Sequence, residues 1–292
     1  TDDTNTTNGG ALHWFIKTGT EYSLVKSVFG VNYYALLGAR VIMADDDTVI
    51  ISGMYYNTVD INDPIGRVWV YERGAGNTWT LSQTLSPPDN AQDSFFGQQM
   101  SCSRNGDVLA IAEPTDTDTG ETRAGRVHIY TRTGTGDYTR QTTILDPDAD
   151  YNSSFSWNQC RLSSDGTRLV ITDGLGDTDT YYYTGSGATF SLDEKVANSI
   201  RYSYFTVDGT RYLYGDGTNI YVMTRQSNGS WTQTTSFTPS SAFYEMKVSD
   251  NGTTVVVKLL NSTSDFEFIR INFAESTNTF TEDRTINLAS YM

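Results

Sequence analysis

Short runs of apolar residues, separated by residues that favour turns, recur along the whole chain. Residues 108–112 (VLAIA) form such a run, and Asn105-Gly106 before them is a common hairpin signal. No segment repeats its apolar residues every 3.6 positions over several turns, so we expect essentially no helix. The pattern around this run predicts four short antiparallel strands, at 97–103, 108–112, 126–132 and 138–145.

The predicted strands belong to a unit that repeats along the chain. Residues 66–71 (GRVWVY) return 59 residues later as 125–130 (GRVHIY). Further along, the Asp-Gly pair at 165–166 returns at 208–209, and again as Asn-Gly at 251–252, each time after 43 residues. The step of 43 is shorter than 59 because the later units have fewer residues in the loop between the second and third strands. Such a loop lies on the surface and tolerates deletions. Tandem units of four antiparallel strands predict an all-β chain folded as a β-propeller.

We expect six blades, with seven as the alternative. A flexible N-terminal segment over residues 1–10 precedes a single propeller domain over 11–292. The first blade is partial, because its residues match only the third and fourth strands of the later units. Two alternatives follow: the ring closes with an incomplete blade, or strands from elsewhere complete it. The predicted blades cover about 11–28, 37–85, 96–145, 155–196, 199–238 and 243–288.

Three motifs of the best-preserved unit are Phe96-Gly97, residues 109–114 (LAIAEP) and residues 125–130 (GRVHIY). They resemble the Phe-Gly, LAIGAP and GAVYVF elements of the FG-GAP repeats of integrin-like and bacterial surface propellers. The resemblance implies a propeller fold and a role in extracellular adhesion or recognition. The units from Ser199 onward lack these elements, and the short turns between first and second strands lack the family's Asp-x-Asp-x-Asp-Gly calcium loop. The resemblance therefore does not imply calcium binding.

The charge of the chain disfavours several classes of partner. The 292 residues include 35 Asp and Glu but only 20 Lys and Arg, which gives a net charge of -15. Nucleic acids and anionic membrane surfaces both attract basic proteins, so we expect neither as a partner. No apolar stretch is long enough to span a bilayer, so we expect no membrane insertion. An extracellular, cell-surface or virion-surface location fits this composition best.

One predicted loop could bind a cation. Asp146, Asp148, Asp150 and Asn152 alternate with other residues, and calcium takes six to eight oxygen ligands of this kind. The alternative is a solvated link between blades, because Pro147 lies within the segment and no bidentate Glu follows. We therefore predict these four residues as the candidate metal site and calcium as the candidate cofactor.

Two tyrosine-rich stretches, 181–183 (YYY) and 202–204 (YSY), allow two interpretations. Exposed aromatic rings stack on the apolar faces of sugars. Side-chain alternation along a strand instead predicts that many of these rings pack between blades.

No arrangement of residues in the sequence indicates catalysis, so we predict that the chain is not an enzyme. His13 and His128 occupy equivalent positions of the repeat, which indicates a packing or surface role. A sialidase-like glycosidase would need an arginine cluster, a nucleophilic Tyr and an acidic partner. Its Ser-x-Asp-x-Gly-x-x-Trp turn is approached only by 227–231 (SNGSW), which lacks the Asp.

The sequence thus favours a non-enzymatic recognition or adhesion module that binds a glycan or a protein through the loops of one propeller face. The first alternative is a structural subunit of a virion or extracellular filament that assembles with copies of itself or with other subunits. A sialidase-like glycosidase is a distant third. Because loops on a common scaffold decide such functions, the fold alone cannot choose among them.

Overall fold

Almost every regular element of the chain is a β-strand. A computed structural model describes residues 9–30, 35–45, 47–56, 64–89, 94–115, 124–134, 136–148, 154–174, 179–197, 200, 202–249, 252–259 and 267–287. Within these ranges the only helix is a three-residue 3-10 turn, Ala75–Asn77. The prediction of an all-β chain without α-helix is confirmed. Most of the predicted flexible segment, residues 1–8, lies outside the described residues.

The strands form six antiparallel sheets. The first sheet, called the half-blade here, contains β1 (Ala11–Thr18) and β2 (Glu21–Phe29). Blade 1 contains β3 (Arg40–Met43), β4 (Thr48–Tyr56), β5 (Pro64–Arg73) and β6 (Trp79–Leu85). Blade 2 contains β7 (Met100–Cys102), β8 (Val108–Glu113), β9 (Arg126–Thr131) and β10 (Thr139–Leu145). Blade 3 contains β11 (Gln159–Leu162), β12 (Arg168–Thr172), β13 (Asp179–Gly185) and β14 (Phe190–Ala197). Blade 4 contains β15 (Tyr202–Phe205), β16 (Arg211–Gly215), β17 (Ile220–Arg225) and β18 (Trp231–Phe237). Blade 5 contains β19 (Phe243–Val248), β20 (Thr254–Leu259), β21 (Glu267–Ala274) and β22 (Thr279–Asn287).

Each blade is a four-stranded meander in which strands adjacent in sequence are adjacent in the sheet. The first strands of successive blades contact one another in the order β3, β7, β11, β15 and β19, so they form the innermost layer. The structure therefore has the six sheets of a six-bladed β-propeller with a partial first blade, and the prediction of the fold class is confirmed.

Buried side chains fill the space between successive blades. Five apolar clusters each join two neighbours: the half-blade with blade 1, and then blades 1 and 2, 2 and 3, 3 and 4, and 4 and 5. The second strand of blade 2, β8, is buried on both faces, as the sequence predicts for residues 108–112, because a neighbouring blade covers each face. This sandwiching explains why the second strands read as continuous apolar runs.

The repeated Gly and Phe-Gly motifs meet at the boundary between blades. A Cβ on Gly66 of β5 would lie 1.8 Å from the carbonyl oxygen of Phe96, in the segment that enters blade 2. A Cβ on Gly125, at the start of the corresponding strand of blade 2, would lie 2.8 Å from the carbonyl oxygen of Phe155. The backbones approach too closely for any side chain, which is the physical reason that glycine recurs at this position.

The half-blade consists of the outer two strands of a blade. The pairing of β1 with β2 shifts register between Trp14 and Phe15, and the outer pair β5–β6 of blade 1 shifts at the matching place, between Val70 and Tyr71. Trp14 packs against Tyr71 of blade 1, with ring centroids 5.1 Å apart. On the other face of the hairpin Phe15 is 56 % exposed, since among the described residues no blade covers it.

Candidate functional site

The five innermost strands surround a cavity at the ends where these strands begin. β3, β7, β11, β15 and β19 all contribute to its wall, and its volume is about 310 Å³. Each innermost strand runs antiparallel to the second strand of its blade, so the loops that follow the second strands lie at the same end. A concave site on the propeller axis brings together side chains that are far apart in sequence.

Two basic side chains flank one aromatic ring in this cavity. The guanidinium carbon of Arg161 lies 5.5 Å from the ring centroid of Tyr204, and Nζ of Lys247 lies 6.0 Å from the same centroid. Nε of Arg161 also donates a hydrogen bond to Oε1 of Gln159 at 3.0 Å. The hydroxyl of Tyr204 donates to the backbone carbonyl of Met246 at 2.8 Å. These contacts fix the ring and orient both cations beside it.

Arg40 brings a third positive charge to the wall of the cavity. Burial, and after it the positive charge of Arg161, hold the pKa of the Arg40 guanidinium below its usual range. In the described part of the chain, neither arginine forms an ion pair with a carboxylate. The two guanidinium groups thus interact unfavourably with each other.

Glu245 is the only acidic side chain among the described residues that line this cavity. Its Oε1 lies 3.6 Å from Nζ of Lys247. A carboxylate can accept a proton from an attacking water, and an ammonium can stabilise negative charge that develops on an oxygen. The pair therefore has the two groups that hydrolysis of an ester-like bond requires.

The two tyrosine-rich stretches have different locations. Tyr181, Tyr182 and Tyr183 are buried between blades. Tyr202 and Tyr204 line the axial cavity instead. The packing interpretation thus holds for the first stretch, and the second presents aromatic rings to a cavity, as the sugar-stacking interpretation requires.

The predicted calcium segment is described only in part, since Asp150 and Asn152 lie outside the described residues. Oδ1 of Asp146 accepts the backbone N–H of Asp148 at 2.9 Å. Oδ2 of Asp148 accepts hydrogen bonds from the Tyr181 hydroxyl at 2.5 Å and from Nζ of Lys195 at 2.6 Å. The hydrogen bond from Lys195, and then that from Tyr181, lower the pKa of Asp148.

In the ranges that the structure describes, no group of three or more His, Cys, Asp and Glu residues is placed to hold a metal ion. Calcium binding by Asp146, Asp148, Asp150 and Asn152 stays a prediction. A cation at Asp148 would have to compete with the ammonium of Lys195 for the same carboxylate oxygen.

A polar cluster around the fully buried His128 and Glu113 lies inside blade 2, away from the axis. Nε2 of His128 is 2.7 Å from Oε2 of Glu113, and Nε of Arg126 donates to that oxygen at 2.8 Å. Nδ1 of His128 lies 3.0 Å from the hydroxyl of Thr143. Arg126 also forms an ion pair with Asp89. Burial lowers the pKa of His128 even though Glu113 opposes this effect.

This contact recurs in other blades with other side chains. His128 pairs with Ile111 across the sheet, and Tyr181 and Tyr221 occupy the matching positions in blades 3 and 4. The acidic partner lies at the end of the second strand each time: Glu113 ends β8, and Asp173 and Asp216 directly follow β12 and β16. The Tyr181 hydroxyl, which donates its proton to Asp148, lies 3.2 Å from Oδ2 of Asp173, and Tyr221 donates to Asp216 at 3.0 Å. Because the repeat builds it three times, we assign the contact to blade structure, which agrees with the packing role predicted for His128.

The axial cavity could not be predicted from the sequence. Arg40, Arg161, Glu245 and Lys247 come from blades 1, 3 and 5 and share no motif. The available signal was their place on innermost strands, which could be recognised only after every blade had been aligned.

The fold has close counterparts among solved structures at low sequence identity. A protein from Lactobacillus plantarum superposes with a TM-score of 0.67 at 12% identity, and the match covers 95% of this chain and 78% of that one. A candidate 6-phosphogluconolactonase from Bacteroides uniformis gives a TM-score of 0.65 at 10% identity, covering 97% and 79%. The periplasmic gluconolactonase of Pseudomonas aeruginosa gives 0.64 at 14% identity, covering 97% and 80%.

No protein-family model matches the chain, and no curated protein matches its sequence. The FG-GAP resemblance is therefore confirmed only at the level of the β-propeller fold. The described residues contain no helix long and apolar enough to cross a membrane.

The prediction of a non-enzymatic adhesion or structural protein is wrong. Similar structures that are named for an activity are lactonases, which are enzymes. Side chains that different blades bring to one place form no motif along the chain, so the sequence carries no signal of such a site. The adhesion and virion interpretations therefore lose their support.

Proposed function

We propose that the chain is a hydrolase that opens a sugar lactone in the axial cavity. The observation that carries the proposal is the placement of Glu245, 3.6 Å from Lys247, in a cavity whose wall also holds Arg161 and Tyr204. The lactonase names of structures with this fold support it. Tyr204 and Gln159 supply an aromatic face and a polar group for a sugar ring and its hydroxyls.

The reaction adds water across the lactone bond. The carboxylate of Glu245 takes a proton from water while the water oxygen attacks the carbonyl carbon. The ammonium of Lys247 stabilises the negative charge that forms on the carbonyl oxygen. The ring C–O bond then breaks, and the proton held by Glu245 passes to the departing alkoxide. The product is the open hydroxy acid, so lactone and water account for all its atoms.

The direct test is a pH-stat measurement of acid release from glucono-δ-lactone and from 6-phosphoglucono-δ-lactone. Both compounds also open spontaneously, so the rate without protein is subtracted. We expect the wild type to exceed this background on at least one of them, and Glu245→Gln to lose about a hundredfold or more, the usual range for removal of a general base.

Glu21→Gln is the matched control, because Glu21 begins β2 of the half-blade, is exposed and lies outside the cavity. It removes the same charge by the same substitution, and we expect it to keep wild-type activity. Wild-type rates equal to the background on both lactones, or full activity in Glu245→Gln, would overturn the proposal.

The cellular location also stays a proposal. The Pseudomonas aeruginosa neighbour is named as periplasmic, and we propose that this chain also acts outside the cytoplasm. Fractionation of cells that make the protein would place it in a soluble extracytoplasmic fraction. Recovery with the cytoplasmic proteins would contradict this.

A further inference from the structure

The charge of the axial cavity is opposite to that of the chain. The sequence has a net charge of -15, yet the cavity wall carries Arg40, Arg161 and Lys247 against the single carboxylate of Glu245. A cavity lined by one sign of charge concentrates ligands of the opposite sign, and low-dielectric walls strengthen the effect. The cavity therefore favours anions although the protein as a whole repels them.

Many arginines elsewhere in the described residues form ion pairs with carboxylates. The second cavity, at the opposite ends of the innermost strands, contains Arg104, which is paired with Asp45. Further examples are the pairs Arg126–Glu113, Arg132–Glu72, Arg211–Glu275 and Arg270–Asp283. Many arginines of this chain thus find a carboxylate, whereas the one carboxylate among the described residues that line the axial cavity, that of Glu245, lies 3.6 Å from Lys247.

The two axial arginines line the same cavity and act on each other electrostatically. Arg161 is oriented by its hydrogen bond to Gln159 and by the ring of Tyr204. Arg40 lies on β3, within range of the positive charge of Arg161. The repulsion between the two guanidinium groups is relieved when an anion sits between them, so the free protein already contains part of the driving force for binding.

We propose that Arg40 and Arg161 together bind the phosphate group of the substrate, so that the lactone opened at Glu245 is a phosphorylated one. The inference rests on the proposed function for its lactone part. Two guanidinium forks offer parallel N–H donors to the three terminal oxygens of a phosphate monoester, and two positive charges balance its two negative ones. A carboxylate, with one charge and two oxygens, needs only one guanidinium.

The test separates anion binding from catalysis. Isothermal titration with inorganic phosphate and with 6-phosphogluconate measures the site without any turnover. We expect both to bind the wild type, and Arg40→Gln and Arg161→Gln each to weaken binding about tenfold to a hundredfold, as expected when one charge-assisted donor group is lost. Arg270→Gln, which removes an exposed arginine of blade 5, is the matched control and should bind as the wild type does.

Hydrolysis then assigns the substrate class. We expect kcat/KM to be higher for 6-phosphoglucono-δ-lactone than for glucono-δ-lactone, and the ratio to fall about tenfold or more in Arg40→Gln and Arg161→Gln but not in Arg270→Gln. Glucaro-1,4-lactone, which carries a carboxylate instead of a phosphate, tests the other source of negative charge. A preference for it over the phosphorylated lactone would overturn the assignment.

The two proposals fail in different ways. Phosphate binding that depends on both arginines, without hydrolysis of any lactone, would support the anion site and overturn the lactonase. Hydrolysis through Glu245 with phosphate binding that is absent, or that both substitutions leave unchanged, would overturn the anion site and leave the lactonase standing.

Discussion

His128 and Glu113 are both fully buried, and Nε2 of the histidine lies 2.7 Å from Oε2 of the glutamate. The pair is one version of a contact that blades 3 and 4 make between a tyrosine and an aspartate. Of the three, only the version in blade 2 contains a group that titrates near neutral pH. The same blade contact thus has a pH response in blade 2 that the other blades lack.

The stability of the protein should fall between pH 7.5 and pH 5.5. Burial lowers the pKa of His128 from its ordinary value of 6.5. As the pH falls, the imidazole therefore binds a proton in the unfolded chain before it does so in the folded chain. The stability contributed by the neutral histidine is complete above pH 6.5 and is lost as the pH falls towards the lower folded pKa. We expect urea unfolding to show this loss of stability as the pH falls through the range.

The chain supplies its own control, because it contains only two histidines. His13 is exposed on β1, so His13→Gln should keep the pH dependence of the wild type. His128→Gln should be less stable at every pH but should lose the dependence between pH 7.5 and 5.5. An unchanged pH dependence in His128→Gln would show that another group causes it.

Trp14 should anchor the half-blade to blade 1. Its indole is 7% exposed and lies between Tyr71 and Trp79, with ring centroids 5.1 Å and 5.8 Å away. We expect Trp14→Ala to lower the free energy of unfolding by about 3 to 5 kcal/mol, the usual cost of truncating a buried aromatic residue. Phe15→Ala, at the next position of the same strand but 56 % exposed, should cost less than about 1 kcal/mol. Equal effects in thermal melts would mean that the half-blade is not packed on the ring.

The sequence predicts the fold because the units repeat, and it misses the site because the site does not repeat. The 59-residue step places the strands of blades 1 and 2, and the outer-strand pattern of residues 11–28 identifies the half-blade. The cavity is lined by side chains that differ from blade to blade at matching places on the innermost strands. Gln159 of blade 3 and Tyr202 of blade 4 lie at such places, each paired with the last residue of the second strand, and comparison of the units treats their difference as noise.

The tyrosines of residues 202–204 show what the alternation of side chains along a strand cannot predict. Alternation along a strand states which side chains share a face, but it does not state whether a neighbouring blade covers that face. Tyr182 and Tyr204 both belong to aromatic runs, yet one packs between blades and the other lines the axial cavity. Tyr182 lies on the third strand of its blade, whereas Tyr204 lies on the first strand. The residue types alone do not show to which strand of a blade a run belongs.

Gly66 should tolerate no side chain. A Cβ there would lie 1.8 Å from the carbonyl oxygen of Phe96, and the clash is with backbone that is itself fixed between two blades. We expect Gly66→Ala to destabilise the protein by about 3 kcal/mol or more, since neither backbone segment can move without repacking. Gly76→Ala, in the open turn before β6, has nothing within 4 Å and should cost about 1 kcal/mol through its positive φ alone. Similar melting temperatures for the two variants would contradict this account of the repeated glycine.

The calcium prediction can be decided through Lys195, whose ammonium lies 2.6 Å from a carboxylate oxygen of both Asp148 and Asp179. If calcium binds at Asp146 to Asn152, it must displace this ammonium from Asp148. Removing the lysine should then strengthen calcium binding, because the competing charge is gone. We expect millimolar calcium to raise the melting temperature of Lys195→Ala more than that of the wild type, and chelator to reverse the effect. In Asp148→Asn, which weakens a ligand and keeps its shape, the response should be smaller than in the wild type. Melting temperatures that calcium leaves unchanged in both the wild type and Lys195→Ala would rule out these four residues as a calcium site.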